Sequence, residues 1–173
     1  MKKALIITGS LVQDHEFIYP FYRLQEEGYH IDILNGSNQQ VLGYFGTKIP
    51  PQRDDSIIQV QEIKIENYDL LILPGGIKSM EHLRLKKDYL QIIKEFDRKK
   101  KIIGCICSGV MMMISAKITK NRKITGYYAW KDDIENSGAE FLDEKVVVDR
   151  NIITSPHYKY NGLWMKEVLK KLK

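Results

Sequence analysis

Lys101-Ile102-Ile103-Gly104-Cys105-Ile106-Cys107-Ser108-Gly109-Val110-Met111-Met112-Met113 is the stretch on which the fold turns. Its first half is apolar and β-branched, the pattern of a strand buried on both faces. After Gly109 it becomes Val-Met-Met-Met-Ile-Ser-Ala, the pattern of a buried helix. The junction is therefore strand, sharp turn, helix, with Cys107 at the turn. Cys105 and Gly109 flank it on either side, and both are small. A nucleophile elbow needs that frame, because a strained turn that pushes a reactive atom outward leaves no room for bulky neighbours. Cys107 is thus a candidate nucleophile at a helix N-terminus, where the macrodipole and free N–H groups favour thiolate over thiol. A pKa well below the ~8.5 of a free thiol is expected there. Cys105, on the strand, is expected to be buried and inert.

The 173 residues fit a single domain, 1–173, large enough for a full core. A hydrophobic content of 43% and a charged content of 28% are those of an ordinary soluble globular protein. No apolar run approaches the ~18–20 residues of a membrane span, and the segment after Met1-Lys2-Lys3 is too short for a secretion signal. A cytoplasmic protein with no membrane contact is expected. Two cysteines on one strand, about 6.6 Å apart at Cα, do not make a disulfide framework. The Cys-x-Cys pair has no second Cys/His pair at zinc spacing, so no metal is expected. The net charge of +5 is spread over amphipathic helices. Its concentrations at Arg98-Lys99-Lys100-Lys101 and the C-terminus suit helix C-terminal ends, and no nucleic-acid partner is expected.

Ahead of the elbow, Ala4-Leu5-Ile6-Ile7-Thr8 predicts a first strand and Gly9-Ser10 its loop. Glu16 to Glu27 predicts a helix capped by Asp14 or Ser10, closed at Gly28, and started or kinked by Pro20. Tyr29 to Leu34 completes a βαβ unit. Gln40–Tyr44 and Thr47–Ile49 predict a small hairpin at the sheet edge. Ile57 to Ile65 reads equally as strand or short helix. Tyr68 to Leu73 is a strand ending in Pro74-Gly75-Gly76, which sets bare backbone N–H groups at the end of a parallel strand, where ligands bind in α/β sheets. A short helical turn or loop at 79–84 and an amphipathic helix at 88–96 lead into the central strand. Beyond the elbow, a short strand at 122–127, a helix at 132–138, a hairpin at 146–154 turning near Arg150-Asn151, and a terminal helix from Trp164 to Leu172 follow. The alternation predicts an α/β chain: an open, mostly parallel sheet sandwiched by helices.

These pieces carry a resemblance. Asp14-x-Glu16-x-Ile18-Tyr19-Pro20, Tyr68 through Gly76, Glu81-x-Leu83-Arg84-Leu85, Ile106-Cys107-x-Gly109, Lys131-Asp132-Asp133, Val146 through Asp149, and Ile153-Thr154-Ser155 stand in order at family spacing. The chain resembles the ThiJ/PfpI superfamily, and within it the intracellular protease I branch, over essentially its whole length. Only the loop from Gly46 to Tyr68 is longer than the family pattern, by about five residues. The resemblance implies a flavodoxin-like fold related to class I glutamine amidotransferases. It also implies Cys107 as nucleophile, Glu16 hydrogen-bonded to its sulfur, and the N–H groups of Gly76, beside Gly75, and of Ser108 as an oxyanion hole. A thiolate attacking a carbonyl needs such donors. The resemblance further implies a homo-oligomer, a dimer or higher, in which Glu81 reaches a neighbouring subunit, and no cofactor.

Where the protease-type branch has a histidine after the cysteine, this chain has Ser108, and serine is no general base near neutral pH. His15, beside Glu16, and His157, after Thr154-Ser155-Pro156, are the histidines placed to substitute, and Tyr127 is a candidate for lining the pocket. The resemblance thus points to a cysteine-dependent hydrolase or lyase of the protease, glyoxalase or deglycase kind, acting on peptide or small carbonyl substrates. The alternative is a non-enzymatic stress-response protein, a redox sensor or holdase. A glutamine amidotransferase would need a His-x-Glu pair late in the chain, which His157-Tyr158-Lys159 does not supply.

Overall fold

Segments that are apolar at nearly every position form the middle of a six-stranded sheet, because only a strand covered on both faces needs no polar side. The computed structural model describes residues 2–173. Its strands are β1 (Lys3–Ile7), β2 (His30–Leu34), β3 (Val41–Leu42), β4 (Lys48–Ile49), β5 (Leu70–Leu73), β6 (Ile102–Ile106), β7 (Lys123–Ile124), β8 (Glu140–Phe141), β9 (Val147–Asp149) and β10 (Ile152–Ser155). Its helices are α1 (Asp14–Glu26), α2 (Ile77–Leu83), α3 (Lys87–Arg98), α4 (Val110–Ser115), α5 (Lys131–Asn136) and α6 (Asn161–Lys171). The main sheet has the order β2-β1-β5-β6-β10-β9, parallel throughout except for the antiparallel edge strand β9. This is the flavodoxin-like α/β arrangement expected, with the hairpin of β9 and β10 turning at Arg150-Asn151.

Side chains alternate across β6 into two cores. Ile103 and Cys105 enter one with Met80, Phe96 and Met112, under α2, α3 and α4. Ile106 enters the other with Phe17, Phe21 and Trp164, under α1 and α6. Cys107 breaks the alternation. Its φ of 58° is left-handed, and its side chain packs with the second core, the side of α1, away from Cys105.

Several local expectations are corrected. The cap of α1 is Gln13, whose side chain accepts from the His15 and Glu16 N–H groups; Asp14 is drawn elsewhere. The helix runs through Pro20, which neither starts nor ends it, because Phe17, Pro20, Phe21 and Leu24 are all buried on one face. Residues 57–65, which read equally as strand or short helix, hold a single bridge from Ile57 to Ile33 and then a 3-10 turn at Val60–Glu62. The strand foreseen at 122–127 shrinks to β7, which pairs with β8 outside the main sheet.

The hairpin of β3 and β4 also stands apart from the sheet edge. Its backbone is hydrogen-bonded to the loop after β1, through Leu11 N–H to Leu42 O and Tyr44 N–H to Val12 O. Asp14 fastens it there, accepting from the N–H groups of Phe45 (2.8 Å) and Thr47 (3.0 Å). Burial works against that charge, but the N–H donors outweigh it and hold the carboxyl below its ordinary value. Gly43 backs onto the same carboxylate so closely that a Cβ would lie 2.3 Å from Oδ1. The latch sets Tyr44 and Phe45 over the C-terminal ends of the strands. Asp14→Ala is expected to cost about 1–2 kcal/mol. It should speed hydrogen exchange at the Phe45 and Thr47 amides while leaving the β5 amides protected; equal protection in the variant would refute the latch.

Candidate active site

Three loops meet where the parallel strands β1, β5 and β6 end, the usual binding edge of such a sheet. The first delivers Glu16 on the buried face of the first turn of α1. The second is Pro74-Gly75-Gly76. The third is the elbow itself. Gly75 lies at their centre: a Cβ there would stand 2.6 Å from Glu16 Oε2, 2.8 Å from Ser108 N and 2.9 Å from Cys107 Cβ. Only glycine allows the three to close up. Gly76 follows at φ 98°, a conformation that also favours glycine.

Glu16 is 0% exposed. Its Oε2 accepts from the Gly75 N–H at 2.8 Å. Its Oε1 is buried and has no hydrogen-bond partner among the described residues, while the Cys107 thiol and the Tyr158 N–H lie close enough to favour the charged carboxylate. Burial raises the carboxyl pKa to about 7 against these donors.

The thiol reverses the expectation from sequence. Burial, and then the Glu16 carboxylate, push the Cys107 pKa far up; the Ser108 N–H and hydroxyl pull it down, but by less. Helix α4 is only six residues long behind a 3-10 turn at Cys107–Gly109, and its dipole does not overcome the loss of water. Cys105 is 1% exposed, and burial holds its pKa well up too. Thiol and carboxyl are one coupled pair, in which Glu16 ionises first and Cys107 keeps its proton.

The cavity over Cys107 measures about 370 Å³. Tyr44, Phe45, Tyr127, Trp130, Tyr158 and Ile77 wall it, with Gly76, Ser108 and His157 at its polar edge. Ser108 is buried; its Oγ accepts from the Trp130 indole N–H (3.0 Å) and lies 3.8 Å from Cys107 Sγ. His157 Nδ1 accepts from the Lys159 N–H at 3.2 Å. Burial and then the Lys159 charge lower the pKa of this ring. A neutral ring with Nδ1 occupied as an acceptor carries its hydrogen on Nε2, so His157 stands as a donor and not a base. The Tyr127 hydroxyl donates to Tyr128 at 2.8 Å, and that bond raises its pKa to about 12.

Two expected members stand outside this cavity. His15 points into a neighbouring groove of about 990 Å³, stacked on Tyr158 at 5.0 Å and edge-on to Phe45 at 5.7 Å. Glu81 is exposed on α2 and paired with Lys78 at 3.1 Å, so this chain does not bring it to its own Cys107. Trp130, Tyr158 and the latched Tyr44 and Phe45 were not singled out from sequence. Aromatic residues at 127–130 next to a strand end were the one available signal. No group of three or more His, Cys, Asp or Glu side chains converges to hold a metal among the described residues.

The DJ-1/PfpI family profile matches residues 2–171. A protein of Pyrococcus furiosus named Deglycase PfpI is 33% identical over 171 residues, covering 99% of both chains. A deglycase of Thermococcus kodakarensis is likewise 33% identical over 99% of both. Among solved structures, a two-domain protein of Anabaena variabilis with DJ-1/ThiJ/PfpI-like and ferritin-like domains superposes with a TM-score of 0.91 at 26% identity, over 99% of this chain and 48% of that one. Schizosaccharomyces pombe DJ-1 superposes at 0.85 with 23% identity, over 99% and 92%, a likeness of fold.

The raised Glu16 pKa fixes a sign. In the folded chain Glu16 keeps its proton up to about 7, against 4.5 when unfolded. Between these values the folded state binds the extra proton, so stability falls as pH rises through that window. Glu16→Gln is expected to flatten the slope and to raise the unfolding free energy at about pH 8 by up to about 3 kcal/mol. Urea titrations across that range read it; a variant no more stable at the alkaline end would show that the carboxyl is not desolvated.

Proposed function

The chain belongs to the DJ-1/PfpI family, and from that premise we propose that it is a deglycase-type enzyme whose Cys107 sulfur attacks small carbonyl compounds and their adducts. The observation that carries the reading is the pairing of a left-handed Cys107 with a wholly buried Glu16 of pKa about 7, under a cavity of about 370 Å³. That volume suits a small molecule. The names of the relatives support the same reaction class.

Glu16 serves as the base. Near neutral pH its carboxylate takes the thiol proton as sulfur bonds to the carbonyl carbon, so no free thiolate has to persist in a desolvated site. The charge that develops on the carbonyl oxygen falls to the Gly76 and Ser108 N–H groups. His157 offers its Nε2–H to the polar end of the substrate. A peptidase reading is weaker, because the only histidine lining the cavity among the described residues is a donor. A redox sensor is weaker too, since a thiol whose pKa is pushed up oxidises reluctantly. Glu81 joins such a site only from a second copy. The homo-oligomer stays part of this proposal, to be checked by light scattering.

The test is the disappearance of methylglyoxal, and of its adducts with blocked arginine and cysteine, followed by mass spectrometry. Wild-type turnover should rise with pH through about 7, the pKa of Glu16. Cys107→Ala should abolish it, and Glu16→Gln should lower it by about a hundredfold or more. Wild type no faster than Cys107→Ala on every adduct would overturn the reading.

A further inference from the structure

The residue after Cys107 is held between two groups. Ser108 Oγ lies 3.8 Å from Cys107 Sγ and 3.0 Å from Trp130 Nε1. An indole N–H only donates, whereas a hydroxyl both donates and accepts. The Trp130 bond therefore occupies an acceptor position on Oγ and leaves the hydroxyl hydrogen to find another acceptor. Ser108 is buried, with 4% exposure, and the sulfur is its other hydrogen-bond partner among the described residues. The Trp130 ring is held by its own turn: the 3-10 turn at Tyr128–Trp130 returns its backbone N–H to Tyr127 O at 2.9 Å, and Tyr127 N–H reaches back to Cys107 O at 3.4 Å.

We propose that Ser108 is a catalytic donor to the Cys107 sulfur and that Trp130 is its positioning residue, the indole N–H holding the hydroxyl so that its hydrogen is aimed at Sγ. This rests on Cys107 being the nucleophile and divides the work at the sulfur between two groups. Glu16 removes the thiol proton as the sulfur bonds, and the Ser108 O–H stabilises the negative charge that builds on Sγ during that transfer, while the Ser108 N–H stays with the carbonyl oxygen. The direction of the Ser108 contributions to the thiol agrees, since both favour the ionised sulfur. A histidine at this position would offer a base. A serine offers only a donor, and the base is then required elsewhere, at Glu16.

Iodoacetamide labelling of native protein across pH, with Cys107 read by mass spectrometry, tests the pair without needing any turnover. Ser108→Ala should slow Cys107 alkylation near neutral pH by about three- to tenfold, the worth of one hydrogen bond, and move its pH profile to higher pH. Trp130→Phe keeps the ring and removes the N–H; it should shift the profile in the same direction by no more than Ser108→Ala. The double variant should match Ser108→Ala alone. An unchanged or faster Ser108→Ala, or shifts that add in the double variant, would overturn the proposal. Circular dichroism confirms that each variant is folded, and Ser108→Ala, which removes a single oxygen, decides for or against the donor even if Trp130→Phe does not fold. If wild type consumes no carbonyl adduct yet the shifts appear as described, the enzyme reading fails and the donor pair stands.

Discussion

A carboxyl group fully buried from solvent governs this molecule. Glu16 is 0% exposed, takes part in no ion pair among the described residues, and has one full hydrogen bond, from the Gly75 N–H. Burying such a group is costly unless it stays protonated, and the chain accepts that cost beside Cys107. Much else in the fold supports it. Gln13 caps α1 so that the first turn presents Glu16 inward, Gly75 admits it by having no side chain, and the left-handed Cys107 turns its sulfur to the same side.

What the sequence made legible is whatever depends on local pattern. Apolar runs at 4–8, 70–73 and 102–106 marked the parallel strands, and small residues around Cys107 marked the elbow. Pro74-Gly75-Gly76 marked the close approach of backbone to the site. Placement set by contacts distant in sequence was not legible. Nothing near 41–49 says that Asp14, some thirty residues earlier, draws that hairpin over the cavity. Nothing near 130 says that its indole meets Ser108. His15 is instructive in another way. Adjacent residues of a helix point about 100° apart, so a buried Glu16 implies that His15 faces a different space. The helix read from sequence begins at Glu16; that α1 starts at Asp14 and includes His15 comes from the structure.

The sign of the thiol shift came out opposite to the local expectation for a reason of magnitude. A helix terminus contributes a few tenths to about one kcal/mol, most of it in the first turn. Desolvation of an ionised group in an apolar interior costs several times that, and a neighbouring carboxylate adds to it. Motif reasoning registers the dipole, which sequence shows, and misses the desolvation, which only packing shows. The two cysteines make the comparison internal. Cys105 and Cys107 are two residues apart and both have raised pKa values, yet of the two Cys107 lines the cavity beside the Glu16 carboxyl.

A buried thiol with a raised pKa is poor as a standing nucleophile and serviceable as a transient one. In the mechanism proposed, with a carboxyl of pKa about 7 next to it, the proton crosses as the sulfur bonds, and thiol and carboxyl share one proton before and during the step. In that proposed step the single negative charge passes from Glu16 to the carbonyl oxygen, and the net charge of the apolar pocket stays the same. That constancy is what a desolvated site requires, because every separated charge there lacks water to stabilise it. It explains why the aromatic wall of Tyr44, Phe45, Trp130 and Tyr158 is compatible with ionic chemistry at its floor. The same reading accommodates a serine after Cys107. On the reading proposed, with Glu16 as the base, a second base at 108 would compete for the same proton, whereas a donor at 108 would stabilise the sulfur during the transfer.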